Sequence, residues 1–132
     1  MRRHLFTFLL AVAAAVFAEA SRMNALDPQY SLMRGIALIE HASTIDASQS
    51  KKAKDDRAGV LNDAEISLKH AYDLSGKKLS AAHLQLARVY EKRGERDRAV
   101  KELEQYLREA PDAKNADAVR EGIKKLRQPV KK

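Results

Sequence analysis

The chain has four histidines, His4, His41, His70 and His83. A metal site or a general base needs an imidazole close to a second ligand or a carboxylate. None of the four stands in a pattern such as H-E-x-x-H, and His41, His70 and His83 fall on different predicted helices. They read as surface or interhelical packing residues, and no metal is expected. Ser48-Gln-Ser-Lys51 and Ser75-Gly-Lys-Lys78 both match S-x-x-K, a pattern of serine acyl-enzymes. Both lie in Ser/Lys-rich connections, and the further motifs that this chemistry needs are missing. Asp55-Asp56 and Asp63-x-Glu65 are sequence neighbours that cannot face each other across a helix, so neither is a positioned acid/base pair. The five glycines are isolated and form no phosphate loop, and the absence of cysteine excludes disulfides, thiolate zinc sites and a thiol nucleophile. The sequence predicts no enzyme and no cofactor.

The elements that carry these residues are helical. Beyond residue 20, apolar residues recur at helical spacing, and no segment alternates in the way of a strand. Met33, Ile36, Ala37, Ile39 and Ala42 form the apolar face of a helix over about 28–45, opened by Asp27-Pro28. Residues 46–57 have Ala47 and Ala53 as their only apolar members and read as a solvated connection with an early helical turn. A second helix carries Val60, Leu61, Ala64, Leu68 and Ala71, with Gly76 as its stop. Ser80 is placed to cap a third helix through its side-chain oxygen, and that helix ends at Gly94. A fourth begins near Glu95 and carries Ala99, Val100, Leu103, Tyr106, Leu107 and Ala110 before Pro111. A last one, about 115–128, shows the stripe Ala116, Val119, Ile123, Leu126. The fold class is all-α.

The 132 residues fit one ordinary domain preceded by an address. Arg2 and Arg3, an apolar run from Leu5 to Ala18, and Ala18-Glu19-Ala20 are the three parts of a signal peptide, with cleavage expected after Ala20. The run is too short for a membrane helix, which needs about 20 residues. The expected destination is therefore periplasmic or secreted, with no membrane span after cleavage. The formal charge of +7 is unevenly spread. Two arginines oppose one glutamate in residues 1–20, seventeen basic residues oppose sixteen acidic ones in 21–119, and six oppose Glu121 alone in 120–132. With tyrosine as the only aromatic beyond residue 20, stacking platforms for single-stranded nucleic acid are few.

At a shift of 35 residues, Ala64, Leu68, Ala71 and Gly76 fall on Ala99, Leu103, Tyr106 and Pro111. A period in this range marks a helical solenoid. Residues 80–111 resemble the tetratricopeptide repeat. Ala87 and Tyr90 hold its small and aromatic positions, Gly94 the inter-helix turn, Ala99 the small residue of the second helix and Pro111 the close. Leu86, Leu103 and Tyr106 fill apolar positions. His83 departs from the Trp-like position, and Tyr106 replaces a small residue. A more degenerate unit, about 28–76, matches mainly through Ala64, Leu68 and Ala71. The resemblance implies antiparallel helix-turn-helix repeats stacked as a short solenoid, with the segment from 115 as capping helix.

It also implies binding in a concave groove lined by the first helix of each unit. Carried onto this chain, the groove positions are Ala81, Leu84, Arg88 and Lys92. Arg88 and Lys92, four apart, can reach an acidic or C-terminal carboxylate ligand. The carboxylate clamp of chaperone-binding members is not reproduced, because Leu84 and Gln85 occupy its polar places. The expected function is a non-catalytic protein–protein interaction module or scaffold of the bacterial cell envelope. Two units plus a cap are near the minimum for independent stability, so self-association is expected as well. The alternatives are an accessory subunit of an envelope enzyme or export complex, or a binder of anionic polymer or nucleic acid through Lys124, Lys125, Arg127, Lys131 and Lys132.

Overall fold

The computed structural model describes residues 2–23 and 26–131, apart from the side chains of 17 and 20–23. It contains α1 (Arg2–Met23), α2 (Pro28–Thr44), α3 (Lys51–Leu74), α4 (Ala81–Lys92), α5 (Arg96–Glu109) and α6 (Ala116–Arg127). No strand occurs among the described residues, so the protein is all-α. The helices belong to two compact units, Met1–Leu79 and Ser80–Lys132.

In the first unit, α2 opens where the Asp27 carboxylate accepts the Gln29 N–H at 2.9 Å and Pro28 presets the first turn. It closes with the Thr44 hydroxyl donating to the His41 carbonyl. Within the connection, Asp46 accepts from the backbone N–H and the hydroxyl of Ser48. These bonds, with a smaller contribution from Arg3, hold the Asp46 carboxyl below its usual value. The expected connection over 46–57 is corrected here. The Ser50 hydroxyl accepts the Ala53 N–H at 3.0 Å, so α3 starts at Lys51, and a Lys52–Asp56 ion pair at 2.8 Å supports its first turns.

The α2–α3 interface closes on Gly35. A Cβ added there would lie 2.5 Å from Leu68 Cδ2 and 2.6 Å from its Cγ. Only hydrogen at this position lets the helices approach so closely. Ile39, Ala42, Ala64, Leu68 and Ala71 have no exposed surface, and Arg34 donates to the Ser67 hydroxyl at the edge. Past Leu74 the chain passes through left-handed Gly76 and Lys77, and Ser75 Oγ accepts the N–H groups of Lys78 and Leu79. The glycine thus lies where the sequence set the stop.

Helix α1 packs on α2. Among its described side chains only Ala14 is buried, whereas Leu5, Phe6, Phe8, Leu9, Val12 and Val16 are between 42% and 65% exposed. No helix among the described residues is long and apolar enough to cross a membrane. The expected cut after Ala20 falls on a residue whose side chain lies outside the described ones.

In the second unit, Gly94 at φ +77° reverses the chain between α4 and α5. The Glu95 N–H bonds back to the Tyr90 carbonyl at 2.8 Å, closing the turn. Ala87 and Ala99 are enclosed, which lets the two helices come close, and Leu86 and Leu103 fill the space around them. Ser80 precedes α4, but its backbone is already helical and its side chain makes no cap bond. The expected hydroxyl cap is therefore not formed, since capping geometry needs an extended residue. Tyr106 is buried, and its hydroxyl donates to Asn115 Oδ1 at 2.6 Å, where α6 begins. That bond gives a reason for a tyrosine where the repeat usually has a small residue. The second helices end 35 residues apart, at Leu74 and Glu109, in register with the internal repeat.

Candidate partner-binding site

Ala81, Leu84, Arg88 and Lys92 lie three, four and four residues apart, so they form one stripe along α4. All four are half-buried. Arg88 Nη1 donates to Gln85 Oε1 at 2.9 Å, which orients the guanidinium along the stripe. The other side of α4 is occupied by structure, with Ala82, His83, Leu86, Ala87, Val89 and Tyr90 all buried. Tyr90 is held between the hairpin arms, with Arg98 4.9 Å and Arg93 6.0 Å from its ring centre.

His83, expected as a surface or interhelical packing residue, is buried between α4 and α5 with two carboxylates. Its Nδ1 lies 2.6 Å from Glu102 Oε2, and its Nε2 lies 3.3 Å from Glu109 Oε1. Both carboxylates stand on α5, two turns apart, and Gln105 fixes Glu109 by donating to its Oε1 at 2.7 Å. Burial alone pushes the imidazole pKa down. The Glu102 hydrogen bond and the charges of Glu102 and Glu109 outweigh it, so the pKa is raised above 6.5. The two imidazole nitrogens face different carboxylates, with a hydrogen bond at Nδ1 and a longer charge contact at Nε2. The trio therefore binds α4 to α5 and leaves no shared vertex for a cation. Among the described residues no group of three or more His, Asp or Glu could hold a metal ion. The signal for this cluster was the seven-residue spacing of Glu102 and Glu109, but the register that sets it against His83 is a property of the folded hairpin.

At the basic end, Arg127 pairs with Glu104, and Arg96 Nη1 donates to the Gln128 carbonyl at 3.0 Å. Part of the apparent positive cluster thus anchors α6 to α5. Lys124, Lys125 and Lys131 are exposed, while Lys132 lies outside the described residues.

An all-α hairpin with a glycine turn, small residues at the crossing and a following amphipathic helix is the geometry of a tetratricopeptide repeat. Residues 80–120 match the family model described as tetratricopeptide repeat. The match spans α4, α5 and the start of α6. No curated protein and no solved structure matches the chain. Repeats of this type are interaction domains, and a protein partner is the class of ligand that the match indicates.

Proposed function

We propose that the protein is a non-catalytic interaction module of the bacterial cell envelope that binds a peptide or partner helix along the α4 stripe. The observation that carries this reading is the tetratricopeptide-repeat match over 80–120, whose first helix displays Ala81, Leu84, Arg88 and Lys92 together. Leu84 supplies apolar contact, and Arg88 and Lys92 favour an acidic segment or a C-terminal carboxylate. A photoreactive residue at Leu84 or Arg88 tests it. A discrete crosslinked protein adduct is expected, and crosslinking only to solvent or to many proteins without preference would sink the assignment. Self-association is part of the proposal, and sedimentation showing a monomer at every concentration removes it.

Export is supported by the basic start of α1, its apolar run and the exposure of its large apolar side chains. An exposed apolar patch of this kind marks a surface for contact with a protein or a membrane. Mass measurement of the protein recovered from the envelope fraction tests this, with a chain beginning at Ser21 expected.

A further inference from the structure

Helix α1 has two unlike sides. Its shielded positions, Thr7, Leu10, Ala13, Ala14 and Ala18, lie three and four residues apart, and the helix rests on α2. On the other side, every exposed position between Leu5 and Val16 carries an apolar side chain. Leu5, Leu9, Val12 and Val16 follow one another at helical spacing and form one stripe, with Phe8 beside it. Thr7, the one polar residue in this run, is half-buried, and its hydroxyl donates to the Arg3 carbonyl at 2.8 Å.

Three features of the stripe select what covers it. It offers no side-chain donor or acceptor, whereas a protein interface carries roughly one hydrogen bond per 100–200 Å². From Leu5 to Val16 it runs about 17 Å at the α-helical rise, well short of a hydrocarbon core about 30 Å thick. No described helix is long and apolar enough to cross a membrane, so the stripe suits a bilayer along its surface and not through it. Arg2, Arg3 and His4 are exposed at its N-terminal end, and α1 has no acidic residue before Glu19. That end complements anionic headgroups.

We infer that the chain carrying α1 docks on an anionic lipid bilayer, with α1 lying in the plane of the headgroups and its outer stripe in the acyl boundary. Because α2 takes the opposite face of α1, the stripe reaches the lipid without α1 being lifted. The contact rests on the export reading only for its timing, before the cut after Ala20. It differs from the α4 site in both element and chemistry.

The test mixes the full chain, with α1 retained, with vesicles of phosphatidylcholine alone or with an equal part of phosphatidylglycerol, and reads the bound fraction by sedimentation. Binding to both is expected, about tenfold tighter to the anionic vesicles. Phe8→Ser/Leu9→Ser changes two exposed positions and should weaken binding to both vesicles about twentyfold. Arg2→Gln should weaken binding about fivefold on the anionic vesicles alone. Binding that Phe8→Ser/Leu9→Ser leaves unchanged comes from basic residues elsewhere and overturns the inference. So does binding to neither vesicle, or a photoreactive residue at Phe8 that labels one protein in place of lipid. Because the chain has no cysteine, Thr7→Cys and Ile45→Cys, which line one concavity beside α1, can be bridged by a bismaleimide. Bridged and unbridged chains should bind alike, and loss of binding on bridging rejects the seated arrangement. The vesicle result depends neither on the cut nor on an adduct from Leu84, so its failure and theirs are read separately.

Discussion

The pairs α2–α3 and α4–α5 follow the same repeat register but hold together by opposite means. In the first, Gly35 lies directly on Leu68, and a bond from Arg34 to Ser67 closes the edge. In the second, a buried imidazole is clamped between two carboxylates, and a tyrosine packs under two arginines. Leu103, which corresponds to Leu68, also meets a glycine, but a Cβ on Gly122 would stand 4.0 Å from its Cδ1. The shared pattern therefore fixes which helices pair and leaves the interface chemistry open. One pair depends on contact distance and the other on protonation.

The largest effect is expected from testing the closeness of the first pair. Gly35→Ala drives a methyl into an enclosed leucine and should cost about 3 kcal/mol, the upper end for overpacking. The denaturation midpoint reads this, and Gly35→Ala combined with Leu68→Ala should recover part of the loss. If Gly35→Ala is neutral, the helices are not held by that approach.

Protonation comes next. Because the folded pKa of His83 is raised, the clamp's contribution is complete below pH 6.5 and is lost as pH rises through the higher folded value. Denaturant midpoints measured from pH 6 upward should fall in wild type, and the slope should flatten in Glu102→Gln/Glu109→Gln. At low pH that double variant should be less stable by about 2 kcal/mol, the scale of a hydrogen bond to a charged group. An unchanged slope would remove the electrostatic half of the comparison.

Two serines give a smaller contrast. Ser50→Ala removes a formed cap and should cost about 1 kcal/mol, whereas Ser80→Ala removes none and should change the midpoint little. The smallest effect is expected at Gly122, where alanine has room and better helix propensity. Gly122→Ala should stabilise by about 0.5 kcal/mol, the opposite sign to Gly35→Ala.

These contrasts also mark what was legible in the sequence. Helix positions and the second hairpin could be read because Ala87, Tyr90, Gly94 and Ala99 combine a helical period with a turn that needs left-handed backbone. The start of α3 could not, because Lys51, Lys52, Lys54, Asp55 and Asp56 are all exposed, and a helix with nothing to bury leaves no apolar stripe. It is held by a cap and an ion pair, which periodicity does not detect. The α4 stripe followed from the resemblance. The His83 clamp depends on how α4 and α5 are set against each other, which no single helix records.

The pairing of α1 with α2 also sets a clock during synthesis. Helix α1 leaves the ribosome before α2, whose last residue follows about twenty residues later, which at roughly 5–20 residues per second is on the order of one to four seconds. During that interval the apolar helix is uncovered on every side. When α2 is complete it covers only the small-residue face of α1, and Leu5, Phe6, Phe8, Leu9, Val12 and Val16 stay open to solvent throughout.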